Sequence, residues 1–187
     1  MPFRFQRVDI PDVILVGPKV FSDDRGFFME VYKDEDFAKF DIKRNFVQIN
    51  YSKSVKNVLR GLHYQKEPMA QGKLIGVMQG EIFDVVVDLR KDSPFHGHWS
   101  GITLDDKRRN MLYVPEGFAH GFCVLSGEAE IIYYCTKAYS FEHECGILWN
   151  DPALNIEWPI ANPVLSDKDQ SNPLFKDADK NFIYQEK

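Results

Sequence analysis

The chain has 187 residues, of which 44% are hydrophobic and 27% charged, and these values are ordinary for one soluble globular domain. Its net charge of -5 argues against a nucleic-acid surface, which needs clustered Lys and Arg to neutralise phosphates. The sequence has no apolar run long enough to cross a bilayer and no signal-peptide pattern, so we expect no membrane partner and a cytoplasmic location.

Short β-rich runs follow one another along the chain, separated by turn signals. They are "DVILVG", "GFFMEVY", "NFVQINYS", "KLIGVMQGEIFDVVVDLR", "WSGITL", "NMLYVP", "GFCVLSG" and "EAEIIYYCT". This pattern predicts an all-β sandwich or barrel, with two strands joined through Gly80 and one short helix over 34–40. We expect a single domain over residues 1–187, in which the residues after about 165 form a polar C-terminal extension.

Three predicted strands each carry several polar side chains on one face, because residues two apart in a strand point the same way. One strand pairs Gln48 with Asn50, and another pairs His63 with Gln65. A third strand has four such residues on one face, namely Tyr133, Cys135, Lys137 and Tyr139. A single polar face usually meets solvent, but three such faces in one barrel favour a polar cavity in the lumen.

The segment "PEGFAHGF" delivers His120 from a turn just before a strand. Its P-x-G-x-x-H pattern is similar to the second signature motif of the cupin superfamily, whose jelly-roll barrels often bind a metal through histidines. Where the first cupin motif would show H-x-H, the chain reads "LHYQ" with His63 alone, and Lys73 follows. An ammonium group would repel a divalent ion in the same cavity. We therefore predict no catalytic metal.

A metal-free cavity with a histidine, a lysine and a tyrosine suits proton abstraction beside a ketone. His63 would take the proton while Lys73 stabilises the negative oxygen of the enolate. A carboxylate on the other ring nitrogen would set the tautomer of the imidazole. Inversion at carbon needs a proton from the opposite face, and Tyr133 on another strand could supply it. These residue types predict an epimerase.

Blocks that span nearly the whole chain look like those of one enzyme family. They are "KVFSDDRGFFMEVY", "FVQINYSKS", "VLRGLHYQ", "QGKLIGVMQGEIFDVVVDLRKDSP", "VPEGFAHGF", "GILWNDPALNIEWP" and "LSDKD". With them the chain closely resembles the dTDP-4-dehydrorhamnose 3,5-epimerases. The resemblance implies a cupin-type jelly-roll barrel with a few short helices, a homodimer and no cofactor. It also implies conversion of the nucleotide sugar dTDP-4-dehydro-6-deoxy-D-glucose to dTDP-4-dehydro-β-L-rhamnose by inversion at C3 and C5 through enolates.

The matching motifs carry the functional residues of the family onto this sequence. His63 becomes the proton acceptor, Asp169 its carboxylate partner and Tyr133 the proton donor. Lys73 completes the catalytic set, and Lys73 and His120 face the sugar or its enolate. The positions that match nucleotide or diphosphate contacts are Arg25, Glu30, Gln48, Asn50, Arg60, Glu144 and Lys168. Glu144 lies in a segment that varies in the family.

At three positions the predicted role of the side chain depends on the direction in which it points. Arg60 points away from His63 in a regular strand, so its place at the site requires a bend near Gly61. Family members commonly read "VQDN" where this chain reads "VQIN", and we expect Ile49 to point away from the polar face. Tyr139 is included among the substrate contacts because it could stack on the base or sugar, with packing in the core as the alternative.

The sequence leaves three other functions open. A related enzyme could invert only one centre or accept a different nucleotide sugar. A non-catalytic sugar-binding cupin would use the histidines only as hydrogen-bonding groups, although binding alone needs no acid and base pair. A metal-dependent cupin oxygenase would require the H-x-H motif that the chain lacks.

Overall fold

The computed structural model describes residues 2–42 and 45–186, and within them the chain forms thirteen β-strands and two short α-helices. The strands are β1 Phe3–Arg7, β2 Ile14–Pro18, β3 Val20–Asp23, β4 Gly26–Met29, β5 Gln48–Val55, β6 Leu59–Gln65, β7 Lys73–Gln79, β8 Glu81–Asp88, β9 Trp99–Asp105, β10 Met111–Val114, β11 Phe118–Val124, β12 Glu128–Cys135 and β13 Glu144–Gly146. The helices are α1 Asp34–Phe37 and α2 Asp167–Ser171.

Two antiparallel sheets face each other. The first has six strands in the order β1-β2-β10-β7-β12-β5, and the second has five in the order β13-β6-β11-β8-β9. Strands β3 and β4 form a separate hairpin. The predicted all-β jelly-roll fold is confirmed.

The main core lies between the two sheets, where inward-facing side chains from both sheets interdigitate. The six-stranded sheet contributes Ile75, Leu112 and Ile131, and the five-stranded sheet contributes Val86 and Phe122. Each of these side chains is almost completely buried. Burial stabilises the fold by about 2 kcal/mol for a side chain of this size.

Gly80 forms the corner at which the chain passes from one sheet to the other. It has a φ of +85°, a conformation that favours glycine. A Cβ atom at this position would lie 2.2 Å from the carbonyl oxygen of Glu128. Strands β7 and β8 meet at Gly80 as predicted, but they do not pair with each other, since they belong to different sheets.

Gly61 bends β6 in the way that the placement of Arg60 requires. It has a φ of +134°, and the pairing of β11 with β6 shifts register between His120 and Phe122. Arg60 consequently lies opposite Phe122, while His63 lies opposite His120. The irregularity turns both polar side chains of β6 toward the same space.

The helix predicted over 34–40 is confirmed as α1 followed by a 3-10 turn at Ala38–Phe40. Helix α2 was not predicted, because "DKDQS" is short, polar and without an apolar period. Beyond α2 the chain packs back along β6, where the Tyr64 hydroxyl donates to the carbonyl oxygen of Asp179. No helix in the described part of the chain is long and apolar enough to cross a membrane.

Candidate active site

A cavity of about 220 Å³ is lined by residues of both sheets. Most of the predicted site residues meet there. The lining consists of Asn50, Arg60, His63, Tyr64, Gln65, Gln71, Lys73, His120, Phe122, Tyr133, Cys135, Tyr139 and Glu144. The side chains include an imidazole, an ammonium, a guanidinium and a phenol, so the cavity is chemically equipped for proton transfer.

His63 pairs with Asp169 from α2. Its Nε2 lies 2.5 Å from Oδ1 of Asp169, and this leaves Nδ1 as the nitrogen that can accept a proton. Burial raises the pKa of the Asp169 carboxyl, but its contacts with His63, Ser166 and Gly61 lower it by more, so the pKa lies below its usual value. An ionised carboxylate favours the Nε2–H tautomer of the imidazole.

Tyr133 approaches the cavity from the opposite sheet. It lies on β12 in the six-stranded sheet, whereas His63 lies on β6 in the five-stranded sheet. Both side chains line the same cavity. A base and a weak acid thus occupy opposed walls, the arrangement that inversion at carbon needs.

Lys73 begins β7 on the wall that holds Tyr133, opposite Cys135 in the strand pairing. Burial lowers the pKa of its ammonium group, and the neighbouring Cys135 and Asp84 partly oppose that shift. An ammonium in a partly dehydrated cavity stabilises a negative oxygen more strongly than it would in water. Lys73 is therefore suited to hold an enolate oxygen.

A second histidine–aspartate pair lies in the same sheet as His63, where His120 lines the cavity and Asp84 lies on the neighbouring strand β8. Nε2 of His120 is 2.8 Å from Oδ2 of Asp84. Oδ1 of Asp84 is buried and has no hydrogen-bond partner among the described residues. Asp84 was not predicted as a site residue. A charged residue inside the apolar run "EIFDVVVDL" is nevertheless a usable signal, since such residues are almost never buried unpaired.

Three predicted contacts form a chain of polar side chains beside the cavity. Lys168 of α2 lies 2.5 Å from Oε1 of Glu144, and the Tyr139 hydroxyl donates to Oε2 of the same carboxylate at 2.7 Å. Burial raises the pKa of Glu144, but the hydrogen bonds from Lys168 and Tyr139 bring it below its usual value. Of the three, Lys168 lies outside the cavity lining.

Three glutamine side chains hold the segment that presents Tyr139. The Tyr139 N–H donates to Gln48 and the Ser140 N–H donates to Gln65, both at 2.8 Å. Gln71 donates to the carbonyl oxygen of Lys137 at 2.7 Å. Gln48 was predicted as a substrate contact, and in the structure its side chain binds the protein backbone and Asn50 instead of lining the cavity.

Arg25 and Glu30 lie on and just after the β3–β4 hairpin, outside the cavity that the described residues line. The guanidinium of Arg25 is 90% exposed and pairs with Asp23. Phe27, on the same hairpin, lies against the guanidinium of Arg109. The fold thus does not bring Arg25 and Glu30 together with His63 within one chain.

The described residues contain no group of three or more His, Cys, Asp or Glu side chains arranged to hold a metal ion. The predicted absence of a catalytic metal stays a prediction. The cysteines at 123, 135 and 145 are free thiols, of which the first two are buried.

A family model described as dTDP-4-dehydrorhamnose 3,5-epimerase matches residues 7–177. A curated protein of that name from Shigella flexneri is 55% identical over 174 residues, which cover 92% of this chain and 96% of the relative. The chain therefore belongs to the dTDP-4-dehydrorhamnose 3,5-epimerase family.

Two solved structures show how far the fold is shared. The dTDP-6-deoxy-D-glucose-3,5-epimerase of Legionella pneumophila in complex with dTDP-4-keto-L-rhamnose is 41% identical, with a TM-score of 0.95 over 98% of this chain and 100% of that one. A 3'-monoepimerase from Streptomyces bikiniensis in complex with dTDP-quinovose is 32% identical, with a TM-score of 0.86 over 91% of this chain and 87% of that one. Double and single epimerases thus share this architecture.

Proposed function

We propose that this member of the dTDP-4-dehydrorhamnose 3,5-epimerase family converts dTDP-4-dehydro-6-deoxy-D-glucose to dTDP-4-dehydro-β-L-rhamnose. The observation that carries the proposal is the placement of His63 and Tyr133 on opposed walls of one cavity. His63 removes a proton from one face of the sugar, and Tyr133 returns a proton to the other face. The high identity to relatives of the same name supports this choice of substrate.

The carbonyl at C4 explains why two centres can react in one cavity. C3 and C5 both neighbour this carbonyl, so removing a proton from either carbon places negative charge on the same oxygen. Lys73 and His120 stand on two different strands of the cavity wall. In the proposed mechanism they hold that oxygen during both steps. Between the steps His63 releases its proton to water and Tyr133 takes one up from water, and a shift of the ring brings the second carbon to His63.

The diphosphate of the substrate needs local cations, because the chain as a whole carries a net charge of -5. Arg60 lines the cavity and donates from Nε to Ser54 at 3.0 Å. Its remaining guanidinium donors suit a phosphate, which accepts paired hydrogen bonds. We assign Arg60 and Lys168 to the diphosphate, and Tyr139 to stacking on the base or the sugar.

The homodimer belongs to the proposal as well. Apolar side chains are exposed along the β3–β4 hairpin at Phe21, Phe27 and Phe28 and along edge strand β5 at Ile49 and Tyr51. A partner of the same sequence would cover them. We place Arg25 and Glu30 in the cavity of the partner subunit, since they are exposed or half-buried on the same hairpin and do not line the cavity of their own chain.

Mixed dimers test this placement of Arg25. We expect R25A and H63A to be inactive alone and to recover activity when the two are unfolded and refolded together. The recovered site combines His63 of one chain with Arg25 of the other. A mixture that stays inactive, although light scattering shows dimers, would contradict the shared site, and a monomer in solution would contradict the dimer itself.

The experiment that tests the activity is incubation with dTDP-4-dehydro-6-deoxy-D-glucose in D2O, followed by proton NMR. Deuterium should enter at C3 and at C5, and a reductase should trap an L-configured product. Y133F should retain some exchange while losing inversion, because the base is intact and the returning acid is gone. Absence of exchange at either carbon by the parent protein would refute the proposal.

Inversion of a single centre is the second candidate function, since a 3'-monoepimerase shares the fold at a TM-score of 0.86. Both reactions use the same base and the same enolate, so the arrangement of the cavity residues does not distinguish single from double inversion. The D2O experiment does: label at C3 alone identifies the single-centre enzyme. A non-catalytic sugar-binding protein would bind the substrate without any exchange.

The proposed reaction needs no cofactor, because proton removal and return change no oxidation state. Full activity after dialysis against a chelator is the expected result, and activity that returns only with added metal would contradict it. The proposal also retains the predicted cytoplasmic location. Fractionation of cells into membrane, secreted and cytoplasmic portions tests that part separately.

A further inference from the structure

Ser166 stands directly before α2 and makes two hydrogen bonds to a single residue. Its Oγ accepts from the backbone N–H of Asp169 at 3.1 Å, which is the usual bond of a helix N-cap. The same hydroxyl donates to Oδ2 of Asp169 at 2.8 Å. The second bond is not needed for capping, because it satisfies no backbone group of the helix.

The carboxylate of Asp169 is consequently held on both sides. Oδ1 faces Nε2 of His63 at 2.5 Å, and Oδ2 receives the hydroxyl of Ser166 at 2.8 Å. The backbone N–H of Gly61 is a further hydrogen-bond donor to this carboxylate. The side chain of Asp169 is only 5% exposed, so water contributes little to its orientation. Ser166 supplies the side-chain hydroxyl that donates to Oδ2 of this carboxylate.

Rotation of the carboxylate would change the state of His63. An ionised Oδ1 in line with Nε2 keeps the proton on Nε2 and leaves Nδ1 able to accept one. If the carboxylate turns away, the two neutral tautomers become closer in energy and part of the protein holds its proton on Nδ1. That part cannot act as the base. A hydroxyl that is separated from the substrate by Asp169 and His63 can therefore control the fraction of competent enzyme.

We propose that Ser166 is a positioning residue, whose hydroxyl orients Asp169 and thereby holds His63 in the Nε2–H tautomer that can accept a proton. The inference rests on the proposed epimerase function for its catalytic consequence. Its structural consequence, the tautomer of His63, can be measured without substrate. The two can therefore fail independently.

Four variants separate positioning from capping. S166A removes both bonds, and S166G removes the donor while glycine remains an acceptable N-cap. S166T keeps both bonds, and the exposed position of Ser166 leaves space for the added methyl group. S171A is the matched control in the same helix, since the Ser171 hydroxyl donates only to the backbone carbonyls of Asp167 and Lys168.

The first measurement is nitrogen NMR of ¹⁵N-labelled histidine near pH 8, at which a free imidazole is neutral, with H63N used to assign the signal. We expect one Nε2–H tautomer for His63 in the parent protein, S166T and S171A. S166A and S166G should show averaged shifts of two tautomers. A single unchanged tautomer in S166A and S166G would overturn the inference, whatever the protein catalyses.

The second measurement is kcat with and without Asp169. S166A and S166G should each lose about tenfold in kcat with little change in KM, since one hydrogen bond is lost. In a D169N background the same S166A change should cost less than about twofold, because the residue through which it acts is already gone. An equal loss in both backgrounds, or rescue by S166G, would assign Ser166 to helix capping alone.

Discussion

The two histidine–aspartate pairs of the cavity face each other across neighbouring strands, yet their surroundings differ. The side chains of His63 and Asp169 are 31% and 5% exposed, whereas those of His120 and Asp84 are 9% and 0% exposed. Both oxygens of Asp169 are hydrogen-bonded, while one oxygen of Asp84 has no partner among the described residues. The same two residue types are thus arranged for two tasks.

The difference follows from which element supplies the aspartate. Asp169 comes from α2, beside the cavity, so its histidine stays accessible to a substrate. Asp84 comes from β8, beside β11 within the same sheet, so its pair lies in the wall. An accessible imidazole with a fixed tautomer suits proton abstraction, whereas a buried one suits donation to an oxygen that stays in place.

Removing His63 should have the largest effect. H63A is expected to lower kcat by about 10⁴-fold, near the upper end of what general base catalysis contributes, and to abolish exchange of the sugar protons with D2O. H120A is the comparison variant, and it should retain measurable exchange because the base remains. Equal turnover by H63A and the parent protein would reverse the assignment of the two histidines.

Replacing Asp169 should come next. D169N preserves shape but removes the charge that fixes the tautomer of His63, so kcat should fall by about 10³-fold. KM should change little, since Asp169 does not line the cavity. Steady-state kinetics with the parent substrate measures both quantities. A KM effect larger than the kcat effect would show that Asp169 acts in binding.

The matching change in the buried pair should be milder. D84N is expected to lower kcat by about tenfold, because it weakens orientation of His120 without touching the base. Circular dichroism should show an intact fold. The difference in kcat between D84N and D169N then compares the contributions of the two aspartates to catalysis. A loss as large as that of D169N would mean that both pairs act as bases.

The smallest expected effect is on stability. The pKa of Asp169 is lowered in the folded protein despite burial. The ionised carboxylate therefore stabilises the fold at any pH above the pKa that Asp169 has in the unfolded chain. This contribution is lost as the pH falls through the pKa that Asp169 has in the folded protein. D169N should therefore be less stable than the parent protein at pH 7, by about 1 kcal/mol. Denaturant unfolding should show the gap closing as the pH falls below about 4. A gap that is independent of pH would contradict this account.

Alternation along single strands was predictable from the sequence, because backbone geometry alone sets it. Asn50, His63 and Tyr133 were each placed on a polar face, and all three line the cavity. Ile49 points outward and is exposed, as expected for a residue between Gln48 and Asn50 in a strand. The bend that brings Arg60 to the site was also expected near Gly61, and the positive φ of that glycine provides it.

Prediction of a shared face failed where a strand ends, and the hydrogen bonds of side-chain amides to the backbone were not predicted. Lys137 was placed on one face with Tyr133, but β12 ends at Cys135 and Lys137 is exposed outside the cavity lining. Gln65 lines the cavity with His63, as its parity predicts, and it also accepts the Ser140 N–H. Gln48 accepts the Tyr139 N–H, and its contact with the substrate stays a prediction. Local spacing does not reveal which partner a side-chain amide will find.

The sequence by itself determined the β-rich fold class, the alternation of each strand and the residue types able to move a proton, since these depend on local geometry and intrinsic chemistry. Only the tertiary structure decided that His63 and Tyr133 stand on different sheets and that two histidine–aspartate pairs differ in exposure. His63 and Asp169 are 106 residues apart. Their contact depends on how the corner at Gly80, the two sheets and α2 pack together, because the position of each element is set by the burial of side chains distant in the chain.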